Sequence, residues 1–183
     1  HEDHREAIRA YQETNMGLPR RIQILHVHRE ILGRDVSEAE LEGLCARYGD
    51  LVTERVLRAP FVAGAREFLE AHHKICPLYL ASATPEEELR QIAGARGIEG
   101  YFQEIFGAPR PKADILREIQ KTEGLGPGEM VFVGDALSDM EAAREANVPF
   151  VARLGESGGL EDAPRRIRDL RELPALLERL FAP

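Results

Sequence analysis

Cysteine is nearly missing from this chain: Cys45 and Cys76 stand alone, far apart and without C-x-x-C spacing. That argues against a disulfide framework and a thiolate zinc site, and two separate thiols fit a reducing cytosol, so a cytoplasmic protein is expected. Cations are outnumbered, 24 Lys and Arg against 32 Asp and Glu, for a net charge of -8. Non-specific nucleic-acid binding depends on clustered cations that neutralise phosphates, so no nucleic-acid partner is expected, although small anions can still bind locally. Long apolar runs are absent too. No stretch approaches the roughly 18 apolar residues of a membrane span, and the start is polar rather than signal-like, so no membrane partner is expected either. What is present is a chain of 183 residues that is 43% hydrophobic, enough for one domain or for a core with a modest insertion. It opens on His1, and HEDHREAIRAY already reads as the middle of an amphipathic helix, so the chain is expected to begin downstream of its natural start.

Residues 3–58 are helical in pattern. Ile8 and Tyr11 fall three apart, and Ile22, Leu25, Ile31 and Leu32 recur at spacings that share one helix face. Gly17 with Pro19, then Gly33, punctuate these helices. Ser37 and Glu40 form a capping box that predicts a helix through about residue 57. No strand is expected before residue 75. After Pro60 the character changes: a helix over about 62–72 leads into 75–82 (ICPLYLAS), a short apolar run of the kind that forms a strand buried on both faces. Thr84 is predicted to cap the next helix, with Pro85 at its first position. A strand at 104–108, a helix from 112 to about 122, a strand at 130–133, a helix to 146 and a strand at 149–153 follow. The tail has a Gly-rich loop at 155–159, a short strand near 167–170 and a helix over 172–181. Strands alternating with helices indicate a parallel, doubly wound sheet.

Three stretches carry chemistry. The run MVFVGDALSDM takes an apolar strand into Gly134-Asp135 and then, four residues on, Asp139 at the head of a helix. In a parallel α/β sheet the ligand crevice lies beyond the carboxyl ends of the strands, so an acidic pair there reads as a Mg²⁺ site. Taken alone, Asp139 would equally suit a helix N-terminus, where its charge meets the macrodipole. Ser82 ends the strand LYLAS, and its hydroxyl, with the amides of Ala83 and Thr84, offers a seat for a phosphate oxygen. The third stretch, APRPK, supplies a cation to neutralise phosphate and crowded carboxylates: Lys112 first, Arg110 as the fallback. His26 and His28, two apart on a helix, do not share a face and make an improbable metal pair. Met16-Gly17 with Arg20 or Arg21 lies in a loop that reads as solvent-exposed at least as readily as substrate-facing.

These stretches, in this order and on these strands, resemble the haloacid dehalogenase superfamily of phosphatases over residues 60–153. The wider phrasing (SATPEEEL, PRPKADIL, VPFVAR) is similar to its phosphoglycolate-phosphatase-like and phosphoglucomutase-like members. The resemblance implies that Ser82 binds phosphate, that Lys112 steadies a phosphoaspartyl intermediate and that Asp135 with Asp139 holds Mg²⁺. It also implies that residues 1–59 are an α-helical cap on a core of residues 60–183, and that the substrate is a small phosphorylated metabolite. The expected fold is α/β, a Rossmann-like doubly wound parallel sheet with an N-terminal α-helical cap.

The family's first motif, a strand ending in D-x-D, is not in these 183 residues. No two of Asp3, Asp35, Asp50, Asp114, Asp135, Asp139, Asp162 and Asp169 are separated by one residue. The nucleophile is therefore expected upstream of His1, with the chain itself inactive. In the resembled fold that strand sits in mid-sheet, so the central first strand is expected to be missing here. The structure should then show either a gap or direct pairing between the strand near residue 130 and the one near 75. The rival readings are a non-catalytic haloacid-dehalogenase-like binding protein that has lost its nucleophile, and a receiver-type regulator, which the long helical segment and Ser82 disfavour. Oligomeric state is not legible.

Overall fold

The structure, a computed structural model, describes residues 2–15, 17–155 and 159–181. The expectations that involve Met16 and residues 156–158 of the Gly-rich loop lie outside the described residues. Helices α1 (Glu2–Thr14), α2 (Arg20–His26) and α3 (Glu38–Arg58) come first, and no strand is found before residue 75 among the described residues. α2 widens into a π-helical turn, Val27–Ile31, where the Leu32 amide donates to the Val27 carbonyl over 2.9 Å. His26 is engaged in packing, its ring stacked on Tyr11 with centroids 4.0 Å apart. The predicted capping box starts α3: the Glu40 amide donates to the Ser37 hydroxyl (3.4 Å), and the Ser37 amide to the Glu40 carboxylate (2.9 Å). At the other end of α3, Arg96 donates to the Val56 (2.6 Å) and Leu57 (3.0 Å) carbonyls, with its guanidinium 4.0 Å from the Phe61 ring centroid. The last carbonyls of a helix are short of donors and carry partial negative charge; Val56 accepts only the Ala59 amide (3.3 Å), so the cation satisfies both needs.

After α4 (Ala65–His72) come β1 (Tyr79–Pro85), α5 (Glu86–Ala95), β2 (Glu104–Ala108), α6 (Lys112–Glu123), β3 (Phe132–Gly134), α7 (Leu137–Glu145), β4 (Phe150–Arg153), β5 (Arg166–Ile167) and α8 (Leu173–Leu180). β1 departs from its expected span at both ends. Ile75 is exposed: its amide and that of Cys76 bond back to the His72 carbonyl, and Pro77 has no amide to give to a ladder. At the far end Thr84 does not cap a helix. The strand continues to Pro85, whose ψ of 137° is extended and makes it the N-cap, and the Glu86 carboxylate ties this junction to β2 by accepting the Gly107 amide (3.2 Å).

All strand pairs are parallel, and helices cover both faces. Alternation along β4 explains how. Phe150 and Ala152 pack with Leu116 of α6 and with Ala142 and Ala143 of α7; Val151 faces the other way, onto Ile167, Leu173 of α8 and Phe68 of α4. Val151 and Ile115 are fully buried, and each such side chain contributes about 2 kcal/mol. The sheet is in two pieces, β1-β2 and β3-β4-β5, and among the described residues nothing hydrogen-bonds β1 to β3. This is the gap expected of a sheet without its central strand. Helix α6 bridges it on one face: Ile115 and Ile119 pack with Tyr79 and Ala81 of β1 and Phe106 of β2, and Ala113 and Leu116 pack with Phe150 and Ala152 of β4.

Tyr79 adds a polar tie between β1 and α6. Its hydroxyl donates to the Glu123 carboxylate, and burial together with that carboxylate pushes its pKa from 10.0 up to about 12. A raised folded pKa gives stability that is complete below the unfolded value and lost as pH rises through the folded one. Denaturant midpoints of the protein should therefore fall between about pH 10 and 12, and Tyr79→Phe should remove that share of the fall.

Candidate active site

The carboxyl ends of β1 and β3 open into one cavity of about 600 Å³. Ser82, Ala83 and Thr84 line one wall, Gly134, Asp135 and Asp139 the other, and Gly17, Arg20 and Tyr48 of the helical layer close over it. The sequence placed Ser82, the acidic pair and Lys112 together, and all four line this space.

Asp139 is the deeper carboxylate, with 7% of its side chain exposed. One oxygen accepts the amides of Asp135 (3.2 Å) and Ala136 (3.1 Å), and the other is paired with Lys112. It thus takes the helix-terminus position that its place in the sequence also suited. Gly134 makes the fold-back possible, since a Cβ there would lie 2.5 Å from the Asp139 Cβ. Lys112 begins α6, where the helix dipole disfavours a cation, and the contact with Asp139 offsets that. Asp135 is open by contrast: 61% of its side chain is exposed, and its nearest cation is Arg153 Nη1 at 3.7 Å.

On the opposite wall the Ser82 hydroxyl donates to Thr84 Oγ1 and accepts the Thr84 amide, both at 3.2 Å. The expectation of free amides heading a capped helix is corrected here, because Thr84 lies in the strand and its amide already has an acceptor. Arg110, the fallback cation, turns away: it pairs with Glu118 and lies over the Phe106 ring, which satisfies its charge outside the cavity.

The choice between Arg20 and Arg21 is resolved by geometry. Arg21 pairs with Glu38 on the surface, whereas Arg20 reaches across to Glu88 of α5 (2.7 Å), in a pair whose side chains are 13% and 20% exposed. Gly49, in the middle of α3, leaves room for it; a Cβ there would stand 2.6 Å from Arg20 Nη1 and 3.2 Å from Glu88 Oε2. Gly17, with φ of +90°, presses on the turn between β3 and α7, and a Cβ would meet Ser138 Oγ at 2.5 Å. Sequence reasoning did not reach Glu88 and Arg153. Glu88 sits in a run of three glutamates that reads as ordinary helix-start charge. Arg153 had a usable signal, a charge ending an apolar strand, the same signal that marked Asp135.

As a metal site the arrangement is half complete. Hard carboxylate oxygens suit Mg²⁺, and Asp135 has oxygens free to bind. Both oxygens of Asp139 are engaged. Among the described residues no group of three or more His, Cys, Asp or Glu side chains is placed to hold a metal.

The parallel α/β fold has counterparts among known proteins. A family model described as haloacid dehalogenase-like hydrolase matches residues 2–147, so the chain belongs to that family. Phosphoglycolate phosphatase of Escherichia coli K12 is 31% identical over 109 residues, 57% of this chain and 42% of that protein. The chain thus aligns with less than half the length of this relative. A predicted phosphoglycolate phosphatase from Haemophilus somnus superposes with a TM-score of 0.74 at 20% identity, over 90% of this chain and 80% of that one. A β-phosphoglucomutase from Clostridium difficile gives 0.75 at 18% identity, over 93% and 81%. These two structures establish the shared fold.

Three substitutions check the site's construction, the first two as a pair. Gly49→Ala should destabilise by about 1–3 kcal/mol through overpacking against the Arg20–Glu88 pair. Gly43→Ala, in the same helix with open space around it, should stabilise by about 0.5–1 kcal/mol. Urea midpoints separate the two. Lys112→Met should cost about 3 kcal/mol by leaving Asp139 buried without its cation, measured in the same way.

Proposed function

We propose that this chain forms the cap and most of the core of a Mg²⁺-dependent phosphatase that acts on a small phosphorylated metabolite through a phosphoaspartate. Residues 1–59 make the cap and residues 60–183 the core. The observation that carries this reading is the cavity over the divided sheet: a hydroxyl wall on β1, an acidic and lysine wall at β3, and a slot between them. A parallel strand in that slot would pair with both inner edges and bring an attacking aspartate between Ser82 and Asp135. Ser82, with Ala83 and Thr84 beside it, holds phosphate oxygens, and Lys112 faces the developing charge. Asp135 is the metal ligand with oxygens to offer; Asp139 fixes the turn and the lysine. Mg²⁺, when bound, supplies charge neutralisation at the phosphate. Arg110 stands outside this set. Arg20 and Gly17 close the cavity and exclude water. The separate thiols of Cys45 and Cys76 fit a cytosolic location, and no described helix is long and apolar enough to cross a membrane.

A second reading, a protein that binds phosphorylated ligands without turning them over, rests on the absence of D-x-D from these 183 residues. Phosphate release separates the two. The Escherichia coli relative is named phosphoglycolate phosphatase, which makes phosphoglycolate the first substrate to test beside a generic aryl phosphate. With its natural flanking sequence the protein should release phosphate in Mg²⁺ and stop on chelation, and Asp135→Asn should lower kcat by about 10²–10³, the scale of losing one electrostatic group at a transition state. The 183 residues alone should release none. A folded protein with natural flanks and no turnover of either substrate would leave the binding reading standing.

A further inference from the structure

We infer that Arg153 is a built-in competitor of the metal: its guanidinium stands beside the Asp135 carboxylate, and its charge sets how tightly a divalent cation binds there. The inference rests on Asp135 being the metal ligand. Phe150, Val151 and Ala152 of β4 are buried, and Arg153 is the first residue of that strand to emerge at the carboxyl end, beside the end of β3. It lines the same cavity as Asp135 and Asp139.

The contact is not that of a structural ion pair. Arg153 Nη1 stands 3.7 Å from Asp135 Oδ2, beyond hydrogen-bond reach, and Arg153 Nε is buried with no acceptor. Arg171 shows what this chain does when such a pair is structural: its Nε (3.0 Å) and Nη2 (2.7 Å) take the two oxygens of Asp169 in a fork. Lys112 on Asp139 is closer and more buried still. The Arg153–Asp135 attraction is therefore Coulombic and unlocked, strong enough to occupy the carboxylate and open to displacement by a doubly charged ion. With Lys112 engaged on Asp139, Arg153 is the cation placed to set the field at Asp135.

Mn²⁺ binding to the natural protein, followed by the loss of the free-ion paramagnetic resonance signal, tests this without reference to turnover. Wild type should bind Mn²⁺ and Asp135→Asn should lose that binding. Arg153→Met and Arg153→Gln should bind about twofold to fivefold tighter, the range of a partly exposed ion pair, and Arg153→Lys should stay near wild type. Two neutral variants guard against one that folds poorly, with circular dichroism as the check. Unchanged or weaker binding in the folded neutral variants overturns the competitor role while leaving Asp135 as ligand. Tightening in Arg153→Lys as large as in the neutral variants also overturns it, because charge would not be the cause. Wild-type binding that survives Asp135→Asn undoes the metal reading, and this inference with it.

Discussion

Asp139 is the one charged residue counted as buried among the described residues. Taking a carboxylate out of water costs several kcal/mol unless charge and hydrogen bonds replace the solvent. Here the replacement comes from two amides of its own turn and from Lys112, 27 residues earlier in the chain. The compensation therefore exists only when the start of α6 and the turn from β3 to α7 stand side by side. Because α6 also bridges the two pieces of the sheet, through Ile115 and Ile119 on β1-β2 and through Ala113 and Leu116 on β4, the contact with Asp139 ties the β3 turn to the helix that spans the gap.

The cavity above is charged but balanced. Lys112 faces Asp139, Arg153 faces Asp135 and Arg20 faces Glu88, and the three pairs differ in firmness. The firmest maintains the turn, the loosest sits at the open carboxylate of Asp135, and the third joins the helical layer to the core. The wall formed by β1 contributes no charge from Ser82 or Thr84, only hydroxyls and backbone. A phosphorylated ligand would thus meet neutral donors on one side and the ion pairs on the other.

Where one physical signal dominates, the sequence was readable. The Ser37–Glu40 capping box fixed the start of α3, and alternation around the GD turn placed β3 and α7 to within a residue or two. The site residues Ser82, Lys112, Asp135 and Asp139 emerged from the same reasoning because strand ends in a parallel sheet converge. Failures came where a long-range contact overrode a local pattern. Pro85 suited a first helical position, yet the Glu86–Gly107 hydrogen bond joins that junction to β2. Arg110, the fallback behind Lys112, is taken by Glu118 and the Phe106 ring, contacts that its place in the loop does not announce. The Arg20–Glu88 pair joins residues 68 apart, and no periodicity reports such a distance. The reason for Gly49 within α3 lies in two side chains from other elements, Arg20 and Glu88.

The placement of that pair along α3 has a mechanical meaning. The helix has 21 residues, about 30 Å at 1.5 Å per residue. Arg96 clasps its last turn, and the Arg20–Glu88 pair sits against Gly49, roughly 10 Å from the clasp. Treated as a lever pivoting at Arg96, a 10° tilt would move the helix at Gly49 by roughly 2 Å and its Ser37 end by roughly 5 Å. If α2 and its Arg20 followed α3, the first displacement would be enough to pull a 2.7 Å ion pair apart. The helical layer is thus tied to the core at two points along α3, at its last turn through Arg96 and near its middle through Arg20 and Glu88, and the second borders the mouth of the cavity.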